Sequence, residues 1–164
     1  MTEIFANKAH LHLILNHFPV IGIVIAFLIL SWGLYTESDD VNRTGFWLVV
    51  IIAIMTIAVV KTGGSAAHLV RTLPGVERTL IRNHSKAADK ALYATDVLGA
   101  LALIGLWIFR KSRIPSWLVK LMLLGSLGVT ALMGWTSDLG GQIRHPEIRP
   151  GFQWPSPPPA SSQK

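Results

Sequence analysis

Four long apolar runs, separated by short polar segments, set the pattern of the chain. The runs cover about residues 11–35, 45–67, 88–110 and 116–136. Because an α-helix rises about 1.5 Å per residue, each run is long enough to cross roughly 30 Å of hydrocarbon. The pattern predicts an all-α integral membrane protein, a four-helix bundle with up-down-up-down topology. Both termini then lie on the same side, here called face A, and the other side is face B.

The tryptophans support this count independently of hydropathy. Each run has one at its face B end, namely Trp32, Trp47, Trp107 and Trp117. Tryptophan is enriched where a membrane meets water, so this set predicts an aromatic belt. Most of the 15 Lys and Arg lie on face A, which favours a cytoplasmic face A. The shorter face B has the higher density of positive charge, so the orientation stays open.

The composition fits a membrane domain and excludes several classes of function. The chain is 51% hydrophobic and 15% charged, and its basic residues flank the apolar runs without forming a surface stripe. We therefore expect contact with the lipid bilayer and no nucleic-acid partner. The absence of cysteine excludes disulfides, cysteine-ligated iron–sulfur clusters and covalently attached c-type heme. No catalytic motif is present, so an electron-transfer or accessory subunit is favoured over a stand-alone enzyme.

Three segments outside the regular pattern carry local predictions. Residues 1–149 form the transmembrane domain, and the Pro/Ser-rich tail, residues 150–164, should be disordered or polyproline-like by itself. In the first run Pro19 lacks a backbone N–H, so the helix should kink there, or restart with Asn16 as its cap. Residues 61–90 are expected to be a basic loop, with a possible helical part over 76–86. The glycine pair after the fourth run is expected to form a turn.

All six histidines fall on face A: His10, His12, His17, His68, His84 and His145. His17 lies about 9 Å inside its run, where a polar ring is costly without a partner. Imidazoles on different helices that face each other can ligate a b-type heme, and His17 with His84 is the preferred axial pair. His12 and His145 are the reserves. Arg82 and Arg144, with Lys61 and Arg71, could pair with the heme propionates. The simpler interpretation is hydrogen-bonded histidines and arginines that contact lipid headgroups.

Small residues on the third and fourth runs could line a slot for the cofactor, or could simply allow close helix packing. They are Ala91, Ala94, Gly99, Ala102, Gly105, Gly125, Gly128, Ala131 and Gly134. No helix has histidines at both ends, so a heme would lie near face A and would not carry electrons across the bilayer. Asp96, inside the third run, could hydrogen-bond a ligand histidine, relay protons, or stay neutral in packing.

Three functions remain in competition. The first is a heme-binding subunit that passes electrons between a protein partner on face A and another carrier or the quinone pool. The second is a histidine site for bare copper or zinc. The third is a cofactor-free structural subunit of a larger membrane complex, which other membrane subunits contact on the histidine face.

The motifs resemble an uncharacterised bacterial membrane family, the domain of unknown function 2231 (DUF2231). The resemblance covers about residues 10–149. It is carried by His12-Leu-Ile-Leu-Asn-His17-Phe-Pro, by Gly63-Gly-Ser-Ala, by His84 after Pro74-Gly-Val, and by Leu139-Gly-Gly before His145. The family often has His-Glu where this chain has His84-Ser85. The resemblance implies four helices in the bacterial inner membrane. Some relatives look fused to Rieske-type domains, which implies redox work by association.

Overall fold

The computed structural model describes residues 8–154, and this part of the chain forms helices and turns without strands. The helices are α1 (Lys8–Leu15), α2 (His17–Tyr35), α3 (Asp39–Val70), α4 (Arg78–Ile108) and α5 (Ser116–Arg144), followed by a short 3₁₀ turn, Pro146–Ile148. Four helical stretches are long and apolar enough to cross a membrane, with α1 and α2 counted as one. The predicted four-helix membrane bundle is confirmed. Tail residues 155–164 lie outside the described part.

The outer surface of the bundle is apolar, as a lipid-facing surface must be. The four tryptophans of face B are all more than half exposed: Trp32, Trp47, Trp107 and Trp117. Trp32, Trp107 and Trp117 stand within four residues of a face B loop, and Trp47 stands eight residues into α3. The belt predicted from the sequence is therefore present in the fold.

The break between α1 and α2 follows from Pro19. Pro19 is the third residue of α2 and has no N–H, so the carbonyl of Leu15 loses its helical partner. The amide of Asn16 still donates to His12 O at 3.0 Å, so α1 closes before α2 begins. Asn16 occupies the N-cap position of α2, although its side chain makes no capping bond. The predicted restart lies at Asn16, which itself keeps helical backbone angles of φ −64° and ψ −24°.

Two predicted turns are wrong, because the helices extend past the apolar runs. The expected basic loop over 61–90 is non-helical only over 71–77. The glycine pair Gly140-Gly141, expected to form a turn, lies inside α5. Helix ends outside the hydrocarbon are set by contacts with neighbouring helices, which a hydropathy pattern does not record.

Most small residues serve close packing of the helices. A Cβ on Gly99 would lie 2.5 Å from Ala53 Cβ of α3, and one on Gly125 would lie 2.5 Å from Leu98 Cδ1. Gly105 packs in the same way against Phe46 and Leu118. Gly128 and Gly134 have nothing within 4 Å of such a Cβ, so they face outward. The packing interpretation therefore holds for the three inward-facing glycines.

The bundle closes at α2 and is open on one side at α1. The α2 helix packs against both α3 and α5, and α4 packs between α3 and α5. The shorter α1 packs mainly on α3, and within the described residues it has no extensive contact with α4 or α5. At the level of α1 the fourth side of the bundle is therefore incomplete.

Arg43 makes most of the side-chain hydrogen bonds that join the loops of face B, and Arg113 adds one to the carbonyl of Glu37. Arg43 Nε donates to Asp39 Oδ2 at 2.6 Å, and its Nη2 donates to the carbonyls of Phe109 and Ser112, at 2.7 Å each. Asp39 Oδ1 in turn accepts from the amide of Ile114 at 2.8 Å. These bonds fix the loop between α4 and α5 to the start of α3.

Candidate functional site

Two histidines from different helices meet at the face A end of the bundle. His12 of α1 and His84 of α4 have ring centroids 6.5 Å apart, with ring planes crossed at 79°. Both side chains are partly buried, whereas His10, His17, His68 and His145 are exposed. The structure therefore separates one histidine pair from the rest of the face A set.

The ring of His12 is oriented by α3. Its Nδ1 lies 3.0 Å from the carbonyl oxygen of Val59 and 3.2 Å from the hydroxyl of Thr62. The Thr62 hydroxyl itself donates to Val59 O at 2.8 Å. Because a backbone carbonyl only accepts, Nδ1 of His12 must carry the proton.

The ring of His84 is oriented by α5 in the same way. Its Nδ1 lies 2.9 Å from the carbonyl oxygen of Thr136. The hydroxyl of Thr136 donates to Leu132 O within its own helix, so it does not take part in this contact. Nδ1 of His84 is therefore also the protonated nitrogen.

A helical glycine lies against each ring, four residues after the accepting carbonyl. A Cβ on Gly63 would stand 3.0 Å from His12 Cε1, and a Cβ on Gly140 would stand 3.0 Å from His84 Cε1. We call each set of histidine, carbonyl and glycine a histidine clasp. The same clasp is thus built twice, once between α1 and α3 and once between α4 and α5.

The clasps determine which nitrogen is available for chemistry. With Nδ1 protonated, the neutral imidazole has its lone pair on Nε2. Between residues 8 and 154, no hydrogen bond engages Nε2 of either ring. Donation of Nδ1–H to a backbone carbonyl is how proteins commonly orient a metal-binding histidine. The Nε2 atoms of His12 and His84 are therefore two nitrogen donors, one from each of two helices.

The other predicted ligands are not brought to this pair. His17 is exposed and its Nδ1 lies 2.7 Å from the carbonyl of Leu13 in the preceding turn. His145 Nδ1 lies 2.9 Å from Glu147 Oε1. The backbone amide of Glu147 and the side chain of His145 hold the pKa of this carboxyl below its ordinary value. The structure thus places His12, and not His17, beside His84.

The predicted propionate partners are exposed, and in the described part of the chain they form no ion pair. They are Arg82 and Arg144, with Lys61 and Arg71. The arginine with specific contacts at this end is Arg149, which the sequence did not single out. It donates to Gln142 O at 2.8 Å, to Ile143 O at 3.2 Å and to Gly75 O at 3.3 Å, and it lies 3.4 Å from Glu77 Oε1. Arg149 thereby joins the C-terminal segment to the α3–α4 loop.

Asp96 is too far from the site to contact it. It lies twelve residues after His84 on α4, roughly 18 Å along the helix axis. Its Oδ1 is buried and has no hydrogen-bond partner in the structure. The predicted hydrogen bond from Asp96 to a ligand histidine is therefore wrong for His84, and the remaining interpretations of Asp96 stay untested.

The sequence pointed to the right motifs but not to their contacts. Gly63 and Gly140 stood among the family motifs, and only the structure places them against the rings. Nothing in the sequence marked Val59 or Thr136 as contacts of a histidine, since any residue supplies a backbone carbonyl. Thr62, which contacts His12 through its hydroxyl, was not marked either. Among residues 8–154, no group of three or more His, Asp or Glu side chains could hold a metal ion together.

Comparison with protein-family models matches residues 8–145 to one family, described as a predicted membrane protein, DUF2231. No curated protein matches the chain. No solved structure matches it either.

Proposed function

The chain belongs to the DUF2231 family of predicted membrane proteins, and from this premise we propose that it binds one b-type heme between His12 and His84. In this proposal it serves as an electron-transfer subunit of a membrane complex. His12 and His84 would hold the heme iron, and the rest of the bundle would anchor them at face A of the membrane.

The separation of the two rings carries the proposal. When two imidazoles bind one ion from opposite sides, each metal–nitrogen bond is about 2.0 Å, which puts the ring centroids roughly 6 Å apart. The observed separation is 6.5 Å. The rings also belong to different helices, which a ligand lying between them requires.

The number of donors favours heme over a bare ion. A structural zinc site takes four protein donors, and catalytic sites take three. Heme brings four nitrogens of its own, so the protein needs to supply only two axial ligands. His12 and His84 match that requirement, and within the described residues no third acidic or histidine side chain joins them.

The surroundings of the pair also suit a bound cofactor. Each ring is fixed by a backbone carbonyl and a glycine, so little ordering is left for the moment of binding. Within the described residues α1 has no extensive contact with α4, so the two rings come from helices that do not pack closely on each other. When bound, the heme would supply reversible one-electron exchange. The chain itself holds Nδ1 protonated and keeps both Nε2 lone pairs available.

A second function is favoured by the same hydrogen bonds. Each clasp joins two helices, α1 to α3 and α4 to α5, so the histidines would also stabilise a cofactor-free accessory subunit. The two functions differ in what the purified protein contains.

A visible spectrum separates these functions. We expect protein purified from heme-replete cells to show a reduced-minus-oxidised α band and one heme per chain by pyridine hemochrome. His12→Ala and His84→Ala should each remove the band, whereas the exposed His68→Ala should retain it. Colourless protein without metal would favour the accessory subunit, and colourless protein with bound copper or zinc would favour a bare-ion site.

His17→Ala tests the ligand assignment. It should leave the spectrum unchanged, because His17 is bonded to its own helix and exposed. If His17→Ala lost the α band and His12→Ala kept a normal heme content, the heme ligand would be His17 and not His12.

A further inference from the structure

Four basic side chains form a stripe along the first turns of α4. They lie four residues apart, so they share one side of the helix. All are exposed: Arg78, Arg82, Lys86 and Lys90. The sequence analysis allowed a helical part over 76–86 but did not single out these four residues as a stripe. We call these four residues the basic stripe.

The charge of the stripe is largely uncompensated. The three ion pairs in the described part of the chain involve other residues. Lys90 Nζ lies 5.4 Å from the ring centre of Trp135, which leaves its charge in place. Asp89 is the acid on the same side of the helix, so the stripe and Asp89 together carry a net charge of +3. Such a surface attracts an acidic partner.

The length of the stripe argues for a soluble partner and against lipid headgroups. The pair Lys90 and Trp135 marks the level of the membrane interface on this side. Along α4, Arg82 lies roughly 12 Å and Arg78 roughly 18 Å beyond Lys90. The headgroup layer adds only about 5–8 Å to each side of the hydrocarbon. The outer half of the stripe therefore stands in water.

The stripe also lies close to the histidine pair. His84 is two residues from both Arg82 and Lys86, so it projects from the opposite side of α4. A protein docked on the stripe would be separated from His84 by one helix, whose diameter with side chains is about 10 Å.

We propose that the basic stripe is the docking surface for an acidic, soluble electron-transfer protein. The docking itself does not depend on a bound heme. Its use as a route for electrons to the His12–His84 pair rests on the proposed function.

The test measures binding with a defined probe. The full chain is placed in nanodiscs of zwitterionic phosphatidylcholine, and an acidic plant-type ferredoxin is titrated on by biolayer interferometry. Basic cytochrome c is the probe of opposite charge. We expect ferredoxin to bind and cytochrome c not to bind, with the ferredoxin Kd rising at least tenfold between 50 and 300 mM salt, since exposed charges are screened.

Two charge-reversed variants locate the binding surface. Arg78→Glu with Arg82→Glu should weaken ferredoxin binding at least tenfold. Arg110→Glu with Lys111→Glu makes the same change in net charge on face B, and its Kd should stay within twofold of wild type. Absence of ferredoxin binding, or equal loss in both variants, would overturn the proposal.

A lipid role has its own outcome. If the Arg78/Arg82 variant bound ferredoxin normally but lost thermal stability only in nanodiscs of anionic lipid, the stripe would be a headgroup contact and the docking proposal would fail. Ferredoxin binding is measured on both heme-free and heme-loaded protein. The outcome of the docking test is therefore independent of the spectrum that tests heme binding.

Discussion

At the scale of single residues, the histidine pair depends on two glycines, whose missing side chains leave room for the rings. Gly63 and Gly140 each leave the space of a side chain to an imidazole ring, and the carbonyl one turn earlier accepts a hydrogen bond from Nδ1–H. In a helix away from such a contact, alanine would stabilise the protein by up to about 1 kcal/mol relative to glycine. The two glycines therefore lower the helix propensity at their positions, and at both positions a neighbouring ring occupies the space of a side chain.

Alanine at either position should disturb the histidine clasp. A Cβ at 3.0 Å from Cε1 forces the ring of His12 or His84 to move by a few tenths of an ångström. We expect Gly63→Ala and Gly140→Ala to lower heme occupancy several-fold, and to broaden or shift the α band while the bundle still folds. Heme content per chain and the reduced spectrum are the measurements.

Gly64 provides the matched control. It is the next residue along α3, and a Cβ there has nothing within 4 Å. Gly64→Ala should keep wild-type heme content and gain slightly in thermal stability. Equal heme content in the Gly63, Gly140 and Gly64 variants would contradict the role given to the clasps.

The limits of sequence reasoning are also seen at this scale. The sequence identified all six histidines as one face A set, and it ranked His17 above His12 because His17 lies deeper in the apolar run. Depth along a run does not say which way a ring points. His17 faces outward from the bundle and His12 faces α3, because residues five apart on a helix point about 140° away from each other.

At the scale of elements, the packing of α1 on α3 is what holds His12 in position. The existence and order of the helices follow from apolar length, so the sequence predicted them. The helix ends on face A depend on contacts between neighbouring helices, and there the sequence placed loops where α3, α4 and α5 continue. The prediction at Pro19 succeeded because a missing N–H is a local property of the chain.

Restoring the missing N–H should change the site without unfolding the bundle. Pro19→Ala allows residue 19 to donate to Leu15 O, so α1 and α2 would join into one straighter helix. The expected result is a loss of at least half of the bound heme, with helical circular dichroism retained. Pro150→Ala, a proline beyond α5, is the control and should keep full heme. Unchanged heme in Pro19→Ala would mean that the break is not needed to place His12.

At the scale of the whole molecule, the two ends of the bundle are built for different tasks. Face B is closed by Arg43, Asp39 and the carbonyls of the α4–α5 loop. Face A has the longer helical extensions, the histidine pair and the basic stripe. The hydrogen-bonded loops of face B and the histidine pair of face A are thus joined by an apolar core.

Removing the side chain of Arg43 should lower the stability of the fold and leave the histidine pair intact. Arg43→Ala removes bonds to two carbonyls and to Asp39, and such losses cost about 1–3 kcal/mol each where the partners stay partly buried. We expect a lower midpoint of thermal unfolding in detergent, with an unchanged heme spectrum in the protein that remains folded. Asp40→Ala is the control, because Asp40 is exposed and forms no ion pair within residues 8–154. An equal midpoint for Arg43→Ala and wild type would show that the two loops do not depend on this residue.

The incomplete fourth side of the bundle at α1 has a consequence for biogenesis. The apolar core lies below this level, so the helices can be inserted and packed before any cofactor arrives. If the proposed heme is bound, its insertion would then be a late step that follows the packing of the helices. A cell could hold a folded pool of the empty protein and fill it on demand.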